Sequence, residues 1–300
     1  MSFDNTTIKY LFSFLFFAVL VSSCEDAIEV DLAEADNLIV VDAWLHDMED
    51  RTPYIKLGLS QQYFDSSPQE NNGSAVMNIT TEDGTIYDLA YDTQSQSYLL
   101  SNLDGWREEP VGQSFELSIS IANLELTAES QKNRVPAIDS IQQEFREDDP
   151  FADDGIYCNF FATDLAGIGD SYWIRTFKNG LFLNKAAEIN IAFDAGFSSN
   201  TDVDNLVFIQ PIQELNNPVD ENFAPIPYVP GDSIRVELHS ITNEAFTYME
   251  IVRDQLLNSS NGIFAEPLAN TNGNVTSSDG NEVLGFFNVS SVSVMSDEIR

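Results

Sequence analysis

The chain has 300 residues, 43% of them hydrophobic and 11% aromatic, which is ample for a buried core and too apolar for a disordered chain. Forty-nine acids stand against 13 Lys plus Arg, a formal net charge of −36. A surface that negative repels phosphate backbones and argues against nucleic-acid binding.

Lys9 precedes an apolar run over residues 10–21, broken only by Ser13. The run is shorter than the ~20 apolar residues that a helix needs to cross the hydrocarbon of a bilayer. It has the length of a signal-peptide core instead, which predicts a signal peptide over residues 1–23. Val21-Ser22-Ser23-Cys24 resembles a lipobox, so the expected product is cut before Cys24 and lipidated on that cysteine. The chain is then anchored to a membrane, with everything after Cys24 outside the cytoplasm. Cys158 remains as the only free thiol, so no internal disulfide can form and core packing must supply stability.

Residues 24–37 are acidic, poor in large apolar side chains, and suit a tether. From residue 38 the pattern is period-two. Segments 38–44, 54–59, 75–80, 86–90, 98–100, 115–121 and 124–128 are predicted strands, with Asp83-Gly84 supplying the positive φ of a hairpin turn. Short strands in this density, with no helical period among them, predict an immunoglobulin-like β-sandwich over residues 38–133. The polar stretch 131–136, closed by Pro136, is the expected boundary.

A second β-rich domain is expected over residues 134–300, giving an all-β chain of two β-sandwich-like domains with one helix in the second. Its predicted strands are 138–145, 157–163, 172–178, 187–193, 206–212, 233–240 and 284–294. Pro225, Pro227 and Pro230 before Gly231-Asp232 mark a loop. The helix is expected over 243–257, where Ala245, Met249, Val252 and Leu256 recur at helical spacing and Thr242 can cap the start.

A series of short motifs runs through the second half: Val135-Pro136-Ala137-Ile138-Asp139-Ser140, Ser171-Tyr172-Trp173-Ile174-Arg175, Gly231-Asp232-Ser233-Ile234, Phe264-Ala265-Glu266-Pro267, Gly273-Asn274-Val275 and Leu284-Gly285-Phe286-Phe287. With residues 38–45, Pro53-Tyr54 and the lipobox, their order resembles the domain of unknown function 4249 family of Bacteroidota lipoproteins, over almost the whole chain after Cys24. The resemblance implies an outer-membrane lipoprotein, often encoded beside a TonB-dependent receptor, on the surface or the periplasmic face. It implies no catalytic residues. Glu25-Asp26, acidic and just after the cysteine, is similar to the signal of surface-displayed lipoproteins.

Catalytic constellations are nearly absent. His46 and His239 are the only imidazoles, neither lies in a His-Glu-x-x-His helix, and both are expected at surface or edge positions of strands. Cys158 alternates into a core or half-buried position with no activating base nearby. Metal binding has better material: Glu147, Asp148, Asp149, Asp153 and Asp154 crowd one loop, and Asp148, Asp149, Asp153 and Asp154 are the candidate calcium ligands. Asp202 and Asp204 form a second acidic turn, and Asp164 with Asp170 brackets Gly167-Ile168-Gly169. Against these stands the bland alternative of solvated charge. Among the aromatics, core packing accounts for Trp44 and Trp173, whereas Trp106 in Asp104-Gly105-Trp106-Arg107 is expected to be exposed for recognition. Tyr228 and Phe223 stand near predicted loops.

The expectation is therefore a binding protein and not an enzyme, an accessory or cargo-contacting partner of a TonB-dependent transporter. The alternative is a structural or adhesive surface lipoprotein with calcium-stiffened loops.

Overall fold

The computed structural model describes residues 37–61, 73–150, 152–197, 204–220, 224–259 and 271–300. The expected signal peptide, Cys24 and the tether up to residue 36 lie outside the described residues, as does Phe223. Strands follow in order as β1 (Ile39–His46), β2 (Tyr54–Leu59), β3 (Val76–Thr81), β4 (Ile86–Asp92) and β5 (Ser97–Leu100). A six-residue helix, α1 (Leu103–Glu108), leads to β6 (Ser114–Ile121), β7 (Leu124–Gln131), β8 (Ile138–Arg146), β9 (Gly155–Ala162), β10 (Ser171–Lys178) and β11 (Leu181–Phe182). After a 3-10 turn (Ala186–Glu188) come β12 (Asn190–Phe193), β13 (Ser233–Ile241), α2 (Asn243–Ser259), β14 (Thr276–Ser277), β15 (Val283–Ser290) and β16 (Val292–Glu298).

The chain is mainly β, as the alternation predicts. In β6 the residues Phe115, Leu117 and Ile119 are buried while Glu116 faces out, so one face of the strand joins a core. The expected helix forms, and the Thr242 hydroxyl caps it by accepting the Ala245 N–H at 3.1 Å. Among the described residues no helix is long and apolar enough to cross a membrane.

The division into two sandwiches does not hold. A nine-stranded sheet runs β14-β7-β6-β3-β4-β5-β2-β1-β15, and its two outer strands come from beyond the expected boundary at residue 133. Every pairing in it is antiparallel except β1 with β15. The sheet curls so that its apolar face encloses one core, from Val41 and Ile55 through Ile79, Phe115 and Leu126 to Phe287. Its rims meet. The Asn274 amide donates to the carbonyls of Glu129 (2.9 Å) and Phe287 (2.8 Å) and accepts the Phe287 N–H (2.8 Å), while the Val289 N–H donates to Ser130 Oγ (3.0 Å). A free edge on β1 would expose unpaired backbone, and β15 covers it. Residues 37–300 accordingly form one compact unit.

The second sheet is β11-β10-β13-β16, with β12 also paired to β10, and the β8–β9 hairpin is a separate two-stranded sheet packed against it in a shared core. The predicted strand 284–294 is two strands. At Ser291, whose N–H donates to Ser240 Oγ, the chain leaves the first sheet as β15 and enters the second as β16. Residues 206–212 form no strand but still bury Phe208 and Ile212. The stretch 131–136 is no linker: buried Lys132 pairs with Asp47 at 2.9 Å, the Asn133 amide donates to the Ile241 carbonyl, and Arg134 pairs with Asp170. A third apolar cluster, Ile191, Ile241, Ala245, Phe246, Met249 and Phe286, joins α2 to both sheets, with Trp44 and Trp173 packed on it.

Candidate ligand pocket

Period-two alternation places Trp44 and His46 on the same side of β1, and likewise Trp173, Arg175 and Phe177 on β10 and Glu237 and His239 on β13. The β10–β13 register then sets Trp173 opposite His239 and Arg175 opposite Glu237. Where these strands face β1 and β2, a cavity of about 590 Å³ opens, walled by Trp44, Trp173, Tyr54 and Phe182 and floored by Met249. Trp44 packs on Trp173 edge-on (5.3 Å between centroids) and stacks on Phe286 (5.6 Å), so the aromatic wall is held from behind.

The charged groups are unusual for so acidic a chain. Arg51, Lys56 and Arg175 line the cavity, three bases against the single acid Asp42. Beneath them Glu237 has no exposure at all. It accepts hydrogen bonds from Arg51 and from Arg235 Nε (2.7 Å), and its other oxygen meets His239 Nε2 at 3.1 Å. Burial alone would raise the Glu237 carboxyl, but the His239 and Arg51 bonds and charges outweigh it and hold the carboxyl well below the usual range. Glu237 is thus an internal counterion already committed to its partners.

Arg175 is not committed. Its guanidinium carbon lies 4.3 Å from the ring centroid of Phe182, 4.8 Å from that of Trp173 and 5.6 Å from that of Phe177. Cation–π contact supports it there. Nε is shut away from solvent with no hydrogen-bond partner, and burial pushes the guanidinium pKa down, against the pull of Glu237. A guanidinium held between rings, with Nε unpartnered, at the wall of a cavity is disposed to receive a carboxylate or another planar oxyanion.

Both histidines are buried, which corrects their expected surface placement. Their rings meet edge-on at 6.4 Å. Burial is the main reason that His46 falls to about 3 and His239 to about 4, so both are neutral at pH 7. His46 Nδ1 and Arg51 Nε are likewise buried without a hydrogen-bond partner, and both residues line the cavity.

Trp106 is also corrected. It is 1% exposed, packs against Tyr87 and Phe115, and donates its indole N–H to the His46 carbonyl. The turn residues around it form α1, and that turn points the indole into the core of the first sheet. Tyr228 is buried as well, its hydroxyl donating to the Asn216 carbonyl at 2.5 Å. Cys158 is buried as expected, and burial pushes its thiol up to about 12, with the Asp297 charge adding. Trp44 and Trp173 do pack on a core, yet each also presents a face to the cavity.

The candidate calcium ligands Asp148, Asp149, Asp153 and Asp154 stay on an outer loop. Asp154 is spent on the Asp148 N–H (2.9 Å), and among the described residues the acids that converge on one point are Asp164, Asp170 and Asp194 instead. Sequence reasoning missed Arg175 because an arginine on an alternating strand is ordinarily a solvated one. The available signal was its place between Trp173 and Phe177 on one strand face.

Comparison with curated proteins finds no match. The family model for a domain of unknown function, DUF4249, matches residues 25–296, and the chain belongs to that family.

Proposed function

We propose that the protein is an outer-membrane lipoprotein, anchored through Cys24, that captures an anionic ligand with a planar or apolar body in the pocket around Arg175. It serves as the accessory or cargo-contacting partner of a TonB-dependent transporter. The observation that carries the pocket reading is Arg175, a guanidinium between aromatic rings with its Nε unpartnered, at the wall of a concave site. The order of motifs and the lipobox support the anchor and the transporter.

The pocket is tested with 8-anilinonaphthalene-1-sulfonate, an anionic aromatic probe, titrated against the folded chain by fluorescence. Arg175→Leu keeps the apolar stem and should weaken binding about tenfold, equivalent to ~1.4 kcal/mol. Equal binding by the variant would refute the pocket reading. The membrane role is tested by co-purification from detergent-solubilised outer membrane. A β-barrel should come down with the wild-type chain, and Cys24→Ala should leave the chain released or unprocessed. A mature Cys24→Ala chain still in the membrane would refute the anchor.

A further inference from the structure

We propose that Asp164, Asp170 and Asp194 bind a calcium ion, at a site separate from the Arg175 pocket and independent of the function proposed for it. Asp164 follows β9, Asp170 precedes β10 and Asp194 follows β12. The β10–β12 pairing of Ser171 with Phe193 sets Asp170 and Asp194 side by side, and the Asp194 N–H donates to the Asp170 carbonyl at 2.7 Å. One carboxylate oxygen from each of the three lies within 4.8 Å of the other two. Oxygens this close can share one calcium ion, whose bonds are about 2.4 Å long. The donors are all oxygen, which selects a hard cation over zinc or copper.

The partners on the protein side do not complete the cluster. Arg134 pairs with Asp170 through Nε (3.0 Å) and Nη2 (2.5 Å). Asp194 Oδ1 accepts the N–H groups of Gly169 (2.8 Å) and Asp170 (2.9 Å). Asp164 Oδ1 accepts the Tyr172 hydroxyl at 2.6 Å. Asp164 Oδ2, on a side chain only 1% exposed, is buried with no hydrogen-bond partner. A buried carboxylate oxygen that no donor reaches is a costly arrangement unless a cation or a proton occupies its front.

Charge points the same way. Three carboxylates against the Arg134 guanidinium leave two negative charges, and one divalent cation brings the sum to zero. Of the three, Asp170 lines a cleft of about 730 Å³ together with Gly169, Asn243 and Glu244.

The competing occupant is a proton on Asp164, and terbium luminescence separates the two. Tyr172 donates directly to Asp164, so terbium at this site is excited through the phenol. The chelator-treated full chain should bind one terbium ion, displaced by calcium with a Kd on the order of 10⁻⁴ to 10⁻³ M. Magnesium at equal ionic strength should displace it poorly. Asp164→Asn and Asp194→Asn should each weaken calcium about tenfold or more, since affinity follows ligand charge. Asp194 has φ 50°, a conformation that asparagine tolerates, and Asn keeps the oxygen that accepts the Gly169 and Asp170 amides. That variant therefore folds even if Asp164→Asn does not, and circular dichroism checks this. Replacing Asp148, Asp149, Asp153 and Asp154 with Asn should leave terbium binding unchanged. A chain that binds no calcium at millimolar concentration, an Asp194→Asn variant that binds as the wild type does, or binding lost with the 148–154 loop overturns the proposal.

Discussion

The indole N–H of Trp106 donates to the backbone carbonyl of His46 at 2.9 Å, a bond between residues 60 positions apart that ties α1 to the end of β1. It satisfies a buried donor and fixes the strand end that carries His46 into the cavity. Trp106→Ala should cost about 3–5 kcal/mol, because a large buried side chain is lost and a cavity remains. Trp106→Phe keeps most of the ring and strands the His46 carbonyl, for about 1–3 kcal/mol. Urea denaturation measures both. A loss below ~1 kcal/mol for the alanine variant would show that Trp106 is not a core residue in solution.

Acid should unfold the protein through its histidines. Both have folded-state pKa values below the ordinary value of 6.5, about 3 for His46 and about 4 for His239. Between those values and 6.5 the unfolded chain binds more protons, so stability rises with pH across that window. It is fully present above about pH 6.5 and is lost as pH falls toward 4 and then 3. Glu237, held low by its partners, adds stability that is lost below its unfolded value of 4.5. Denaturant midpoints at pH 7.5 and 4.5 test the sign, and a midpoint unchanged or higher at pH 4.5 would contradict neutral buried imidazoles.

Gly285 should resist substitution. It has φ 100°, and a Cβ there would lie 1.9 Å from the Val41 carbonyl oxygen on the parallel neighbour β1. Gly273 crosses it from the other side, where a Cβ would meet the Gly285 carbonyl oxygen at 1.8 Å. Gly285→Ala therefore combines backbone strain with a backbone clash and should cost more than about 3 kcal/mol. Gly280→Ala, at φ 78° in open space, carries the strain alone and should cost only about 1 kcal/mol. Equal thermal shifts for the two variants would mean that the three backbones do not stack this closely.

Trypsin should spare Lys132 and Arg134 in the native chain. Sequence composition alone marks residues 131–136 as a cleavable linker, but Lys132 is buried against Asp47 and Arg134 grips Asp170. Backbone tied down at both side chains does not enter a protease active site without local unfolding. Mass spectrometry of the first fragments is decisive, since early termini at Lys132 or Arg134 would restore the two-domain picture.

Alternation by itself determined most of the strands, because a half-buried strand must place apolar residues on one face, as Phe115, Leu117 and Ile119 do on β6. Helical spacing and Thr242 determined α2 in the same local way. Family membership was legible from the order of the motifs.

Partnership between distant segments was not legible, and only the tertiary structure decided it. Nothing local in residues 283–290 says that they pair with β1 across the whole chain, or that the run turns at Ser291 into another sheet. Nor does any local pattern bring Arg175 and the histidines to one cavity, or gather Asp164, Asp170 and Asp194 while the denser acidic loop at 147–154 stays in solvent. Strand formation depends on the side chains of neighbouring residues. The pocket and the carboxylate cluster depend on which strands pair and which edges must be covered, and that is settled by backbone hydrogen bonds between segments that are not neighbours in sequence.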